Sequence, residues 1–271
     1  MEHAMPELRG FTAVDETADP GAFVQFLATV STDPDVLRYK QHALAILDPS
    51  EGDAIIDIGC GVGDDACELA RRVGPTGRVV GVDSSEAMIV AARQRQEPAL
   101  PIEFRVGDAY GLEFADASFD RCRAERVFHH LTDPDRALAE LVRVGRAGAR
   151  VFVSEPDYGT FFVDAPDQAL TRLILDVRRD MIASPLFARR LPRLLRTLGV
   201  RDVEVFPEVL VLRFATANRM MGLETAVEAA RERSAISEEA GVGWLRDLAA
   251  ADSNGDFLAG GTMFLVAGSK A

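Results

Sequence analysis

The chain has 271 residues, 48% of them hydrophobic, and a formal net charge of −13. That balance supplies a core, contains no apolar run near the ~20 residues of a membrane span, and has the wrong sign for gripping a phosphate backbone. Its three cysteines, Cys60, Cys67 and Cys122, are an odd number without metal-ligand spacing, which predicts reduced thiols and no metal site.

Met1–Glu7 carries neither the charged nor the apolar part of a secretion leader, so the expectation is a cytoplasmic chain. Phe23–Leu27 belongs to an N-terminal arm, and Asp33-Pro34 reads as a helix start. The helix is expected over Val36–Leu47 with Leu37, Leu44 and Leu47 inward. Tyr39 and His42 on it are open between the site and a core or surface role. Ala54–Ile58 is a β-branched run that reads as a buried strand. It contains Asp57 and is followed by Gly59, Gly61 and Gly63, then by a helix over Asp64–Val73 whose first turn is acidic.

Strand, glycine turn and helix open a nucleotide-binding α/β domain. The dinucleotide pattern Gly-x-Gly-x-x-Gly is not met, because the third glycine comes one residue early and Asp64 stands in its place. Two carboxylates in the first helical turn repel a pyrophosphate, which disfavours a nicotinamide cofactor. They tolerate a ligand that is positively charged and has no phosphate. At these residues the chain resembles the class I methyltransferases that use S-adenosylmethionine (SAM), whose first motif is an acid followed by Gly-x-Gly-x-Gly.

The next segments extend the pattern. Gly77–Asp83 is a second strand whose terminal acid is placed to accept two ribose hydroxyls. Ser84 and Ser85 cap a helix through Met88, and Ile102–Val106 is a third strand running into Asp108 and Ala109. The resemblance implies that Asp108 and Ala109 border the adenine. Residues 114–130 fit a fourth strand and its following segment, similar to methyltransferases of the ubiquinone/menaquinone-biosynthesis type. Asp133-Pro134 starts the next helix. Val151–Ser154 is the fifth strand, ending near Asp157 and Tyr158. The turn at residues 143–148 lacks the proline that this family usually carries.

Beyond this point the resemblance weakens. Asp164-Ala165-Pro166 is expected to cap a helix, with residues 160–185 forming either a lid over an acceptor pocket or an ordinary packing helix. The arginine-rich stretch 189–196 reads as an amphipathic helix with solvated charges. Residues 201–214 give one bent strand or two short ones around Pro207. Helical stretches follow over 218–233 and 237–251, and the 262–267 run suits an antiparallel last strand.

The expected fold is therefore α/β: a Rossmann-like, doubly wound, seven-stranded sheet, mostly parallel with an antiparallel last strand, plus a helical lid. It forms one domain over 1–271, divided into an arm (1–50), a cofactor core (51–158), a lid (159–200) and C-terminal strands and helices (201–271). The resemblance implies SAM as cofactor and methyl transfer to a small, largely apolar acceptor, with oxygen slightly ahead of carbon or nitrogen. A cyclase on the same scaffold and a non-catalytic SAM-binding partner are the alternatives. Cofactor contacts are expected from Asp57, Gly59, Cys60, Gly61, Gly63, Asp83, Ser84, Met88, Asp108, Ala109, Glu125 and Arg126. Glu125 and Arg126 either shape the methionine end or pair with each other. Candidate bases are His129, His130, Asp157 and Tyr158, with His130 open between catalysis and a cofactor contact. Neither nucleic acid nor membrane is expected as a partner, and the assembly is a monomer or homodimer.

Overall fold

Residues 8–271 are described by a computed structural model; the leader reading of Met1–Glu7 lies outside the described residues. Two short 3-10 turns, Leu8–Thr12 and Val14–Glu16, precede α1 (Pro20–Val30) and α2 (Pro34–Leu47). Asp19 and Asp33 cap these helices through their side chains, each followed by proline at the first helical position. On α2, Leu47 is inward and Leu44 packs against the core, but Leu37 is exposed, contrary to the inward placement expected of it.

The core then runs β1 (Ala54–Ile58), α3 (Asp64–Val73), β2 (Arg78–Asp83), α4 (Glu86–Arg95), β3 (Ile102–Val106), β4 (Phe119–Glu125), α5 (Pro134–Val144) and β5 (Gly145–Val163). It closes with α6 (Gln168–Arg179), α7 (Leu191–Thr197), β6 (Val200–Leu212), α8 (Phe214–Ala217), α9 (Leu223–Glu232), α10 (Glu238–Asn254) and β7 (Ala259–Lys270). A π-helical turn, Asn218–Gly222, joins α8 to α9. The seven strands are ordered β3-β2-β1-β4-β5-β7-β6, and β7 is antiparallel to both neighbours. The order reverses between β1 and β4, so the carboxyl ends of those strands open the crevice where such sheets bind ligands.

Side-chain alternation divides the core between the two sheet faces. Ile55, Val79 and Phe152 pack with α2, α3 and Ile89 of α4, whereas Ile56, Val80, Cys122 and Val151 pack with α5 and α7. The arginine-rich stretch is amphipathic as expected, with Leu191 and Leu195 fully buried. Pro207 lies inside one continuous β6, and the strand tolerates it because β6 is the sheet edge.

Two boundaries differ from expectation. Strand β5 does not end at Ser154 but continues to Val163, pairing with β7 as far as Asp157 and again at Phe162 and Val163 after a shift of register. The next helix is accordingly capped by Asp167, which accepts from the Leu170 N–H, and not by Asp164. Among the described residues no helix is long and apolar enough to cross a membrane.

Candidate active site

A cavity of about 470 Å³ opens at the carboxyl ends of β1, β2 and β4. Its polar end is built by the glycine loop. Gly59 has φ +67, and a Cβ there would sit 2.3 Å from Val127, so only glycine fits this turn. The Gly61 N–H donates to Asp83 Oδ2 at 2.9 Å, and the Ser85 N–H donates to Oδ1 at 3.0 Å. Burial pushes the Asp83 carboxyl above its ordinary pKa. Asp57, Cys60, Asp83, Ser84, Met88, Asp108, Ala109, Glu125 and Arg126 all line the cavity, as do Gly59 and Gly61. Gly63 does not. It begins α3 at φ +83, where a Cβ would meet the Phe104 ring at 2.6 Å, so it serves helix–strand packing.

Behind the loop lies a buried charge cluster. Asp57 and Arg123 are direct neighbours in the β1–β4 register, and alternation puts Glu125 on the same face. Arg123 Nη1 donates to Asp57 at 2.5 Å, while Nη2 donates to Asp65 at 2.8 Å and to Glu125 at 2.6 Å. The Tyr39 hydroxyl donates to Glu125 at 2.5 Å, and Lys40 holds Asp65 at 2.8 Å. Burial outweighs Arg123 and pushes the Asp57 carboxyl up to about 6. For Asp65 the balance is opposite: burial is overcome by Lys40 and Arg123, which hold it far below the carboxylate range. Asp57 Oδ2 is buried with no hydrogen-bond partner. Arg126 turns out of β4 at φ +57, with Nε 3.8 Å from Glu125. Of the two α2 residues left open, Tyr39 reaches this cluster, and exposed His42 pairs with Glu208 instead.

The two histidines follow in a 3-10 turn, Phe128–His130, and both line the cavity. Their rings are 3.9 Å apart. His129 Nδ1 lies 2.6 Å from Glu155 Oε2, and His130 packs 5.4 Å from the Phe11 ring. Burial pushes His129 down to about 3 and His130 well below the usual imidazole value, while it pushes Glu155 up to about 7. Tyr158 lines the cavity beside them, its ring 5.5 Å from His129. Asp157 fails as a candidate base. Alternation along β5 turns it away from Pro156 and Tyr158, and Arg189 Nε holds it at 2.7 Å.

The far end of the cavity is apolar, with Leu210 and Leu212 of β6, Met220 and Met221 of the π turn, and Met263 of β7. Its cover comes from the N-terminal arm through Phe11, Val14, Phe26 and Leu27. From residues 159–200, assigned above to a lid, only Phe161 lines it; α6 packs against α9 and β5. Asp15 ties the arm down by accepting from Ser85 Oγ and from the Glu86 and Ala87 N–H groups at the start of α4. Among the described residues no cluster of His, Cys, Asp and Glu suits a metal ion.

A family profile described as a methyltransferase domain matches residues 56–153. Over 269 residues the chain is 36% identical to an uncharacterized 37.1 kDa protein in transposon TN4556 of Streptomyces fradiae, covering 97% of this chain and 75% of that one. It is 40% identical over 105 residues to the ubiquinone/menaquinone biosynthesis C-methyltransferase UbiE of Bdellovibrio bacteriovorus, covering 38% and 44% of the two chains. The chain belongs to the class I SAM-dependent methyltransferase family. The cofactor of this methyltransferase is S-adenosylmethionine. Its matches to the named methyltransferases span about half of their length. The fold is shared with the YcgJ protein of Bacillus subtilis, at a TM-score of 0.60 and 18% identity, over 85% of this chain and 98% of that one.

Sequence reasoning missed Arg123, Lys40 and Asp65 of the charge cluster, Glu155 beside the histidines, and the whole apolar end. Arg123 had a signal: the alternation Arg121, Cys122, Arg123, Ala124, Glu125 puts a cation on the Asp57 face. The π turn and the arm carried none.

Proposed function

We propose that this methyltransferase transfers a methyl group to a small, largely apolar acceptor, at oxygen in preference to carbon or nitrogen. The observation that carries the reading is a single cavity with an acid-lined end beside the glycine loop and an apolar end beyond the histidines. The donor set at the first end fits the cofactor. The partnerless Asp57 Oδ2 offers an acceptor to an ammonium group, and Asp83 offers its carboxylate to ribose hydroxyls. Arg126 faces the same end as a cation for a carboxylate. Met88 and Ala109 supply apolar walls for the adenine, with Asp108 beside them.

When bound, SAM supplies an activated methyl on a sulfonium. The protein's task is then to hold the attacking atom in line with it, an effect that contributes on the order of several kcal/mol. The apolar walls exclude water and orient the acceptor, and the histidine pair stands where the two ends meet. A hydroxyl acceptor loses a proton as it is methylated, and an unprotonated His129 with the Glu155 carboxylate at its Nδ1 is placed to take it. That supports oxygen as the preferred atom. The net charge of −13 supports a free small molecule over nucleic acid, handled by a monomer or homodimer in the cytoplasm.

Calorimetric titration with SAM, S-adenosylhomocysteine and NADH tests the cofactor end. Saturable binding of the two sulfur nucleosides alone is expected. A screen of hydroxylated apolar aromatics, read by product mass, tests the other end. Gain of one methyl on oxygen is expected; rearranged products of unchanged mass would replace transfer by cyclisation.

A further inference from the structure

We propose that Glu155 is a positioning residue that fixes His129 as the proton acceptor of the transfer. The proposal rests on the methyl-transfer reading and deepens it.

Glu155 is fully buried, and its carboxylate is devoted to one turn. Oε1 accepts from the Val127 and Phe128 N–H groups, each at 2.8 Å, and Oε2 accepts from the His129 N–H at 3.2 Å. Those three bonds are enough to hold the turn. The fourth contact, Oε2 to His129 Nδ1 at 2.6 Å, adds nothing to the backbone and decides a chemical question. An ionised carboxylate at Nδ1 keeps the imidazole hydrogen there, and the ring then presents the lone pair of Nε2. His129 lines the cavity, so that lone pair belongs to the space shared with the acceptor.

The surroundings make the carboxylate necessary. His129 is faced by Arg126 and Arg178, both of which disfavour a charged imidazole, by the neutral ring of His130, and by Tyr158. An imidazolium formed there needs a compensating negative charge, and Glu155 is the carboxylate in contact with it. In the step, the acceptor's O–H bond breaks as its new O–C bond forms. The proton passes to His129 Nε2, the electron pair of the breaking C–S bond stays on sulfur, and the proton leaves to solvent after the product. The His130 ring lies 3.9 Å from that of His129, tilted by 42°.

The test reads the tautomer directly. The protein has only four histidines, so long-range ¹H–¹⁵N spectra of the apo protein at pH 8 resolve the His129 ring, assigned by His129→Gln. The expected form carries hydrogen on Nδ1. In Glu155→Gln the amide N–H faces Nδ1, and the hydrogen moves to Nε2. SAM affinity of this variant, measured by calorimetry, is expected within about threefold of the parent, while transfer falls by roughly 100-fold or more, the usual worth of a general base. A parent spectrum with hydrogen on Nε2 overturns the proposal without any variant. So does a Glu155→Gln protein whose tautomer has changed but whose turnover stays within threefold. Failure of SAM to bind the parent would instead sink the functional reading and leave the tautomer result standing by itself.

Discussion

Arg123 is the residue on which the cofactor end depends, and its removal has a calculable consequence. Its guanidinium is buried and donates to Asp57, Asp65 and Glu125 together. Replacing it in Arg123→Met keeps an unbranched stem without the charge and leaves Asp57 and Glu125 without their cation, while Asp65 retains Lys40. Breaking a buried ion pair from one side costs about 3–5 kcal/mol, a large part of a typical domain's stability. The carboxyl groups can reduce that cost by taking up protons, so the loss depends on pH. Asp57 already has a folded-state pKa of about 6, above its unfolded value. A raised carboxyl pKa stabilises the fold at low pH, and that contribution is lost as pH rises through the folded value. Without Arg123 the folded value rises further and the loss extends to higher pH. At pH 5 Asp57 is mostly protonated in both proteins and adds little to the penalty, which there comes from the contacts of Arg123 to Asp65 and Glu125. At pH 8 the parent holds an ionised, paired Asp57, and the variant does not. With 1.36 kcal/mol per pKa unit, the penalty at pH 8 should exceed that at pH 5 by roughly 2 kcal/mol. Urea unfolding of both proteins at the two pH values measures it. A penalty equal at pH 5 and pH 8, or below about 1 kcal/mol at pH 8, would refute the account of Arg123 as the neutralising centre.

Three further outcomes are expected. Asp83→Ala removes the acceptor proposed for the ribose hydroxyls, and SAM affinity should fall by about 1.5–3 kcal/mol, the range of hydrogen bonds to a charged group; unchanged calorimetric affinity in a folded variant would take Asp83 out of the site. Because Asp57 ionises near pH 6, a cationic ligand beside it should bind with proton release below that value, its affinity falling up to about tenfold per pH unit between 6 and 5; calorimetry in two buffers of different ionisation heat would detect the protons. Asp15→Ala should loosen the arm from α4, a capping loss of about 0.5–2 kcal/mol, and stopped-flow SAM dissociation should quicken accordingly; an unaltered rate would mean that the arm does not retain the cofactor.

What was legible in the sequence is what short stretches decide. Ala54–Ile58, the glycine turn and Asp64–Val73 were placed to the residue, because a β-branched run, left-handed glycines and an acidic first turn each have one local solution. Asp133 reads as a helix start for the same reason, and its side chain caps α5. The misplacements are long-range. Strand β5 outruns its own apolar run because β7 returns alongside it as far as Val163, and a partner 100 residues away leaves no mark on residues 155–163. That extension also pushed the start of α6 from Asp164 to Asp167, two acids that local capping rules cannot rank. The lid reading failed on the same ground. The amphipathic stripe of α6 states that the helix buries one face, and says nothing of whether the partner is a ligand or α9.

The division has a consequence for how the two ends of the cavity can vary. The acid-lined end is assembled from consecutive strand ends over residues 57–126, so its geometry is set by the sheet and cannot drift without breaking the β1–β4 register. The apolar end is assembled from an arm, an edge strand, a π turn and the last strand, elements that meet only in the folded protein. Substitutions at Met220 or Leu212 alter that space without touching the charge cluster or the glycine loop. The histidine turn sits between them and is fixed from below by Glu155, whose four contacts all lie within residues 127–129. A change of acceptor can thus leave both the donor site and the proton acceptor in place, and the physical limit on acceptor choice becomes the shape of the space between the arm and β6–β7.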